Sequence, residues 1–248
     1  MEIEKARLIK KEEVSAGLFI FDLESKAVSR KALPGQFVQI RVWDSFDPFL
    51  RRPFSIAQVD SDTFRIAFRI RGKGTKILAL TREDDYLDVL GPLGKPIPAY
   101  EDRNIVLIGG GVGIAPLLFL AQKLAVKNRL FIFLGARSRN ELLFLPDFKQ
   151  LTNHISYITE DGSFGKIGLV TDLLTTLPTN PLVFTCGPIA MLKALQKTLT
   201  PITVYGFLEK RLGCGTGLCF GCAVKKRAGG YLRVCKDGPV LNLNEIEI

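Results

Sequence analysis

The chain has 248 residues, with 34 Lys+Arg against 25 Asp+Glu and a single histidine, His154. That length suits one or two domains, and 47% hydrophobic residues is enough for real cores. One histidine excludes multi-His metal sites and His relays and leaves little scope for a Ser-His-Asp hydrolase, while the net charge of +9 fits nucleic acid, an anionic ligand or an acidic protein partner equally.

The N-terminal Met1-Glu2-Ile3-Glu4-Lys5 is charged and lacks the apolar core of a secretory signal. Residues 1 to about 98 read as short strands. Val38, Ile40 and Val42 alternate with Gln39 and Arg41, and Phe64, Ile66, Phe68 and Ile70 alternate with Arg65, Ala67, Arg69 and Arg71. Turn signals punctuate them at Pro34-Gly35, Asp47-Pro48, Asp60-Ser61-Asp62, Gly72-Lys73-Gly74 and Gly91-Pro92. An antiparallel barrel or sandwich is expected over residues 1–100.

The pattern changes near Asn104. Apolar strands over 105–108, 130–134, 155–159 and 182–185 alternate with helices expected over 115–126, 140–149, 169–177 and 189–199, and 203–207 could add a last strand. This alternation predicts a doubly wound parallel sheet over residues 101–207. The nearly apolar stretch from Ile105 to Ala121 contains Gly109, Gly110, Gly111, Gly113 and Pro116, and is shorter than the roughly 20 residues of a membrane span. A soluble, cytoplasmic protein is expected. Residues 208–248 form a third piece, too short for a core of its own and in need of a staple.

Four motifs carry chemistry. The turn Gly109-Gly110-Gly111-Val112-Gly113 follows a buried strand and opens a helix, which is where main-chain amides and a helix dipole meet a phosphate. Its spacing departs from G-x-G-x-x-G, so a tight strand–helix turn is the plain alternative. Arg52-Pro53-Phe54-Ser55 and Ala67-Phe68-Arg69 through Gly74-Thr75 put arginines and a Gly/Thr turn on neighbouring strands, either a pyrophosphate site or a solvated basic face. Cys186-Gly187-Pro188 ends a parallel strand at the ligand-binding edge of the sheet, though a lone cysteine is commonly a small buried hydrophobe.

The cysteine run is the sharpest of the four. Cys214-x4-Cys219-x2-Cys222, then Cys235, opens with the plant-type [2Fe–2S] spacing, and small neighbours let amides approach the sulfurs. A four-cysteine zinc site is the alternative, and disulfides are disfavoured with four of the five cysteines crowded into the last 35 residues.

Taken in this order, the motifs resemble the ferredoxin-NADP reductase superfamily over essentially the whole chain. The resemblance implies a barrel that binds FAD through Arg52, Pro53, Phe54, Ser55, Ala67, Phe68, Arg69, Gly74 and Thr75, with Ser55 near flavin N5. It implies an α/β domain that binds NAD(P) through Gly109, Gly110, Gly111 and Gly113, with Cys186, Gly187 and Pro188 facing the nicotinamide; Ser55 and Cys186 would be the catalytic positions. The segments Leu208–Arg211, Cys214–Cys222, Val234–Val240, Leu90–Gly94 and Thr159–Ser163 are similar to the electron-transfer subunits of NAD-dependent dihydroorotate dehydrogenases. Gly213 stands where alanine is expected in that group. Membership implies Cys214, Cys219, Cys222 and Cys235 on iron, a catalytic flavoprotein subunit as partner, and a heterotetramer. It also implies electrons carried from dihydroorotate to NAD in pyrimidine biosynthesis. Electron-transfer subunits of sulfhydrogenases, sulfite reductases and ferredoxin–NADP oxidoreductases share the architecture, and a stand-alone flavin reductase is a further alternative.

Overall fold

A computed structural model describes residues 2–42, 47–175 and 177–248. The chain divides into two compact units. The first comprises the N-terminal residues through Ile97 together with Glu209–Ala223 and Arg233–Pro239; the second comprises Pro98–Leu208, Val224–Leu232 and Val240–Ile248. Residues 208–248 therefore distribute their contacts between the two units.

In the first unit β1 (Glu2–Ser15), β2 (Leu18–Glu24), β3 (Phe37–Arg41), β4 (Arg52–Ser55), β5 (Gln58–Asp60), β6 (Thr63–Arg69) and β7 (Tyr86–Leu93) form one antiparallel sheet. Its order is β4-β3-β7-β1-β2-β6-β5, accompanied by two short helices, α1 (Lys26–Lys31) and α2 (Lys73–Leu78). The alternation seen in the sequence is real at β6, where Phe64, Ile66 and Phe68 are buried and Arg65, Ala67 and Arg69 are not. Curling of the sheet brings edge strand β4 back to β6: the rings of Phe54 and Phe68 are 5.5 Å apart, edge to face. Phe68 also stacks on Phe19 at 5.6 Å. At β3 the expected alternation fails, because Gln39 is as buried as Val38 and Ile40. The cysteine loop covers the face that would otherwise meet water.

The second unit is built on β8 (Asn104–Gly110), α3 (Ile114–Leu124), β9 (Arg129–Ala136), α4 (Leu145–Leu151), β10 (Ile155–Thr159), β11 (Lys166–Ile167), β12 (Pro181–Cys186), α5 (Ile189–Thr198) and β13 (Val204–Phe207). The order β11-β10-β9-β8-β12-β13 is parallel throughout, and a final strand, Val240–Asn242, pairs antiparallel with β13. Chain order reverses between β8 and β12, so the turns after those two strands meet at a topological switch point, where doubly wound sheets bind ligands. Ile105–Ile108 is fully buried and α3 exposes almost nothing, as a strand and helix packed on both sides require. Among the described residues no helix is long and apolar enough to cross a membrane.

Two expected helices are corrected. Over 140–149 there is a single 3-10 turn at Arg139–Glu141, then α4 from Leu145, with Phe144 at φ +58 between them. Pro146 explains the late start, since it fits only the first turn of a helix. Over 169–177 only one 3-10 turn forms, Val170–Leu173, and Thr176 lies outside the described residues. β-branched Val170, Thr171 and Thr175 followed by Pro178 give little helical drive there.

Candidate functional site

The first unit assembles a basic cradle at the start of α2. Thr75 Oγ1 accepts the amides of Arg71 and Gly72 at 2.9 and 3.2 Å, folding the Arg71–Thr75 turn on itself. A Cβ at Gly74 would stand 2.6 Å from Arg52 Nε, so the guanidinium from β4 lies directly against this turn. Gly72 faces open space, with nothing within 4 Å of where its Cβ would be. An arginine beside a glycine turn with vacant room is what a pyrophosphate requires. The residues present therefore fit the phosphates of FAD. Phe54 and Phe68 turn their rings into the core and so offer only main chain outward. Ser55 is half-buried at the end of β4, and Arg69 reaches the Ala16 carbonyl at 3.5 Å.

In the second unit the glycine turn and the Cys186-Gly187-Pro188 turn are packed main chain to main chain. Cys186 lies opposite Gly109 in the β8–β12 ladder. A Cβ at Gly113 would be 2.5 Å from the Cys186 carbonyl, and one at Gly187 would be 3.2 Å from Gly110 Cα. Gly111 has φ +55 and open space beside it. Neither α3 nor α5 has a side-chain cap at its N-terminus. This crevice has the uncapped amides and the clearance for a nucleotide pyrophosphate. Cys186 itself is buried.

The Thr159–Ser163 segment closes over the carboxyl end of β9. Asp161 Oδ1 accepts both the amide and the hydroxyl of Ser163, and these bonds hold its carboxyl below the usual range. The Ser163 hydroxyl in turn accepts the Arg139 amide at 2.8 Å, and the Arg139 guanidinium lies 4.9 Å from the centre of the Phe164 ring. Arg137 is exposed at the same edge.

The cysteine loop belongs to the first unit. No two of the cysteines are joined by a disulfide. They stand as two pairs. Cys214 and Cys219 exchange amide-to-sulfur hydrogen bonds at 3.5 and 3.4 Å, and the Thr216 amide donates to Cys214 Sγ at 3.4 Å. The sulfurs of buried Cys222 and Cys235 are 3.3 Å apart, with the Cys235 amide aimed at Cys222 Sγ. Burial opposes ionisation of Cys214, but hydrogen bonds from the Thr216 side chain and from the Cys219 and Thr216 amides outweigh it and bring the thiol down to about 5. Burial, then contact with Cys222, pushes Cys235 up to about 12.

Two thiol pairs with amides directed at sulfur offer the donor types that a two-iron, sulfide-bridged cluster uses. The loop is tied to the N-terminal sheet region and braced internally. The Lys95 amide donates to Gly238 O at 2.6 Å, just past the Leu90–Gly94 segment. Within the loop, Arg233 forms an ion pair with Asp237, donates to Gly217 O at 3.2 Å and covers the Phe220 ring at 5.1 Å. Sequence reasoning passed over Arg233 and Gln39. The spacing of four between Arg233 and Asp237 was the available signal for the first, and a lone amide inside an apolar strand for the second.

Comparison with known proteins fits this geometry. Residues 209–247 match the iron-sulfur cluster binding domain of dihydroorotate dehydrogenase B, and residues 107–197 match an oxidoreductase NAD-binding domain. Over 247 residues the chain is 37% identical to the dihydroorotate dehydrogenase B (NAD(+)) electron transfer subunit of Lysinibacillus sphaericus, covering 96% of this chain and 95% of the relative. The chain belongs to that family. The corresponding subunit of Shouchella clausii is 38% identical, with 96% of each chain covered. Among solved structures, that of an NADH-dependent reduced ferredoxin-NADP oxidoreductase matches with TM-score 0.89 and 31% identity, over 98% of this chain and 90% of the other. Phthalate dioxygenase reductase shares the fold at TM-score 0.66 and 16% identity, over 94% of each chain. The family's barrel, nucleotide sheet and cluster loop are the three parts described above.

Proposed function

We propose that this chain is the electron-transfer subunit of a dihydroorotate dehydrogenase, carrying electrons between a partner flavoprotein and NAD in pyrimidine biosynthesis. Membership of the family supports the oxidoreductase activity, FAD, the [2Fe–2S] cluster, NAD and the catalytic partner subunit. The carrying observation is the pairing of the four cysteines, with amides directed at the sulfurs of Cys214, Cys219 and Cys222.

Roles follow from what each group can do. Arg52 and the Gly72–Thr75 turn hold the FAD phosphates by charge and main-chain donors, assisted by Arg69. The hydroxyl of Ser55, at the end of the same strand, would offer the flavin ring a hydrogen bond. Gly109–Gly113 receives the pyrophosphate of NAD, and Cys186-Gly187-Pro188 lines the nicotinamide. Cys214, Cys219, Cys222 and Cys235 would hold the iron–sulfur cluster through their thiolates. Bound FAD supplies the conversion between the two-electron chemistry of a nicotinamide and the one-electron chemistry of a cluster. We place the protein in the cytoplasm, within a complex containing two copies of each subunit.

The test is reconstitution. The anaerobically purified chain, carrying flavin and iron, is mixed with a dihydroorotate dehydrogenase catalytic subunit and assayed for dihydroorotate-dependent reduction of NAD. Activity present with both subunits and absent with either alone is expected. A second reading, service to a different redox complex, is favoured by the high similarity to the ferredoxin-NADP oxidoreductase structure. Reduction of an artificial acceptor by NADH without any NAD reduction in the reconstituted mixture would favour it.

A further inference from the structure

Strand β3 is apolar from Phe37 to Ile40 except at Gln39, and Gln39 is fully buried. Its amide leaves the strand toward the cysteine loop. Nε2 donates to the Gly213 carbonyl at 3.4 Å, and Oε1 has no hydrogen-bond partner among the described residues. A Cβ on Gly215, which already needs φ +73, would collide with that same side-chain amide. An unpaired buried amide oxygen is costly, so if packing alone decided this position an apolar side chain would serve better.

Gln39 also has a place in the sheet ladder. It stands opposite Pro53, inside the Arg52–Ser55 strand, with Ile40 opposite Arg52 and Phe37 opposite Ser55. Gly213 and Gly215 flank Cys214, whose sulfur receives the Thr216 and Cys219 amides at 3.4 Å each. Whatever fixes residues 213–215 fixes that sulfur and, through the peptide joining Gly215 to Thr216, the Thr216 amide aimed at it. Hydrogen bonds to cluster sulfurs set reduction potential, and partners one layer out from a metal ligand govern affinity.

We infer that Gln39 is a positioning residue that locks the Cys214 loop onto β3, beside the Arg52–Ser55 strand, so that cluster retention, cluster potential and electron transfer from flavin to cluster all depend on it. This rests on the reading that iron is held by Cys214 and FAD beside Arg52. Nothing in that reading assigns Gln39 a part.

The experiment compares the parent protein with Gln39→Leu and Gln39→Glu, each purified anaerobically with flavin and cluster. Leu keeps the bulk and removes the amide; Glu keeps the shape and the acceptor but cannot donate when ionised. Both variants are expected to retain FAD and NADH-driven dye reduction, which do not use the cluster. Both are expected to lose iron to a chelator at about ten-fold lower concentration, with an altered electron paramagnetic resonance spectrum and a shifted midpoint potential. Cluster reduction after mixing with NADH should slow in parallel. Gly215→Ala, which reaches the same contact from the loop side, should change the spectrum in the same way. Parental spectrum, potential and chelator resistance in Gln39→Leu and Gln39→Glu would overturn the inference, even if Gly215→Ala differed. Should Gln39→Leu fail to fold, Gln39→Glu decides alone. A parent protein without iron or flavin would instead overturn the function proposed above.

Discussion

Gly113, in the nucleotide-side turn, has an ordinary right-handed backbone with φ −65, and is glycine because the main chain of Cys186 and Gly187 occupies the space of a Cβ. Gly217, in the cysteine loop, is glycine for a different reason. Its φ is +88, and the neighbour its Cβ would meet is the flexible side chain of Lys236. The nucleotide turn is thus specified chiefly by close packing between the ends of two buried strands, β8 and β12, with a single left-handed residue at Gly111. The cysteine loop is specified chiefly by backbone conformation, with left-handed φ values at Gly215, Gly217 and even Phe220, and Gly215 is further confined by the Gln39 amide. A site supported by a sheet exists before its ligand arrives, whereas a loop of this kind relies on hydrogen bonds, the Arg233 clamp and the metal it holds.

Perturbations of the two regions should therefore fail differently. The largest effect is expected from Cys222→Ser, which should abolish iron and labile sulfide while leaving NADH binding intact. Visible absorption and isothermal titration would check both halves, and loss of NADH binding would contradict the separation. Gly113→Ala should cost about 3 kcal/mol by overpacking, read as a fall in melting temperature with weaker NADH binding. Survival of both properties would mean the turn has slack. Arg52→Ala, which lies outside both glycine stretches, should weaken FAD binding by about 2 kcal/mol through loss of charged hydrogen bonds; fluorescence of released flavin measures it, and iron content should hold. Smallest is Gly217→Ala, about 1 kcal/mol of backbone strain, visible as faster cluster loss on dilution with no change in NADH binding.

The same contrast explains what could be read from the sequence. The buried run Ile105–Ile108, the glycine turn after it and the cysteine spacing are local signals, and local signals survive folding. The Arg52 and Gly74 motifs could be read singly, but their contact depends on the curl that brings β4 back to β6. The α-helical turns expected over 140–144 and 169–175 do not form, because Pro146, Pro178 and β-branched residues oppose them. Gln39 was misread for a deeper reason. A period of two predicts an outward face only if nothing covers it, and the covering loop lies 174 positions away in sequence. Arg233 was missed likewise, because its carbonyl acceptor at Gly217 is 16 residues upstream.

The last forty residues also have a topological consequence. Glu209–Ala223 and Arg233–Pro239 pack with the first unit, while Val224–Leu232 and Val240–Ile248 pack with the second. The chain is laced, changing units at each of those boundaries as well as at Pro98. Truncation after Leu208 would strip the thiols from one unit and, through loss of Val240–Asn242, an edge strand from the other. A single protease cut within 224–232 would leave both fragments carrying a segment of each unit, so nicked protein should stay associated under native conditions and separate only when denatured.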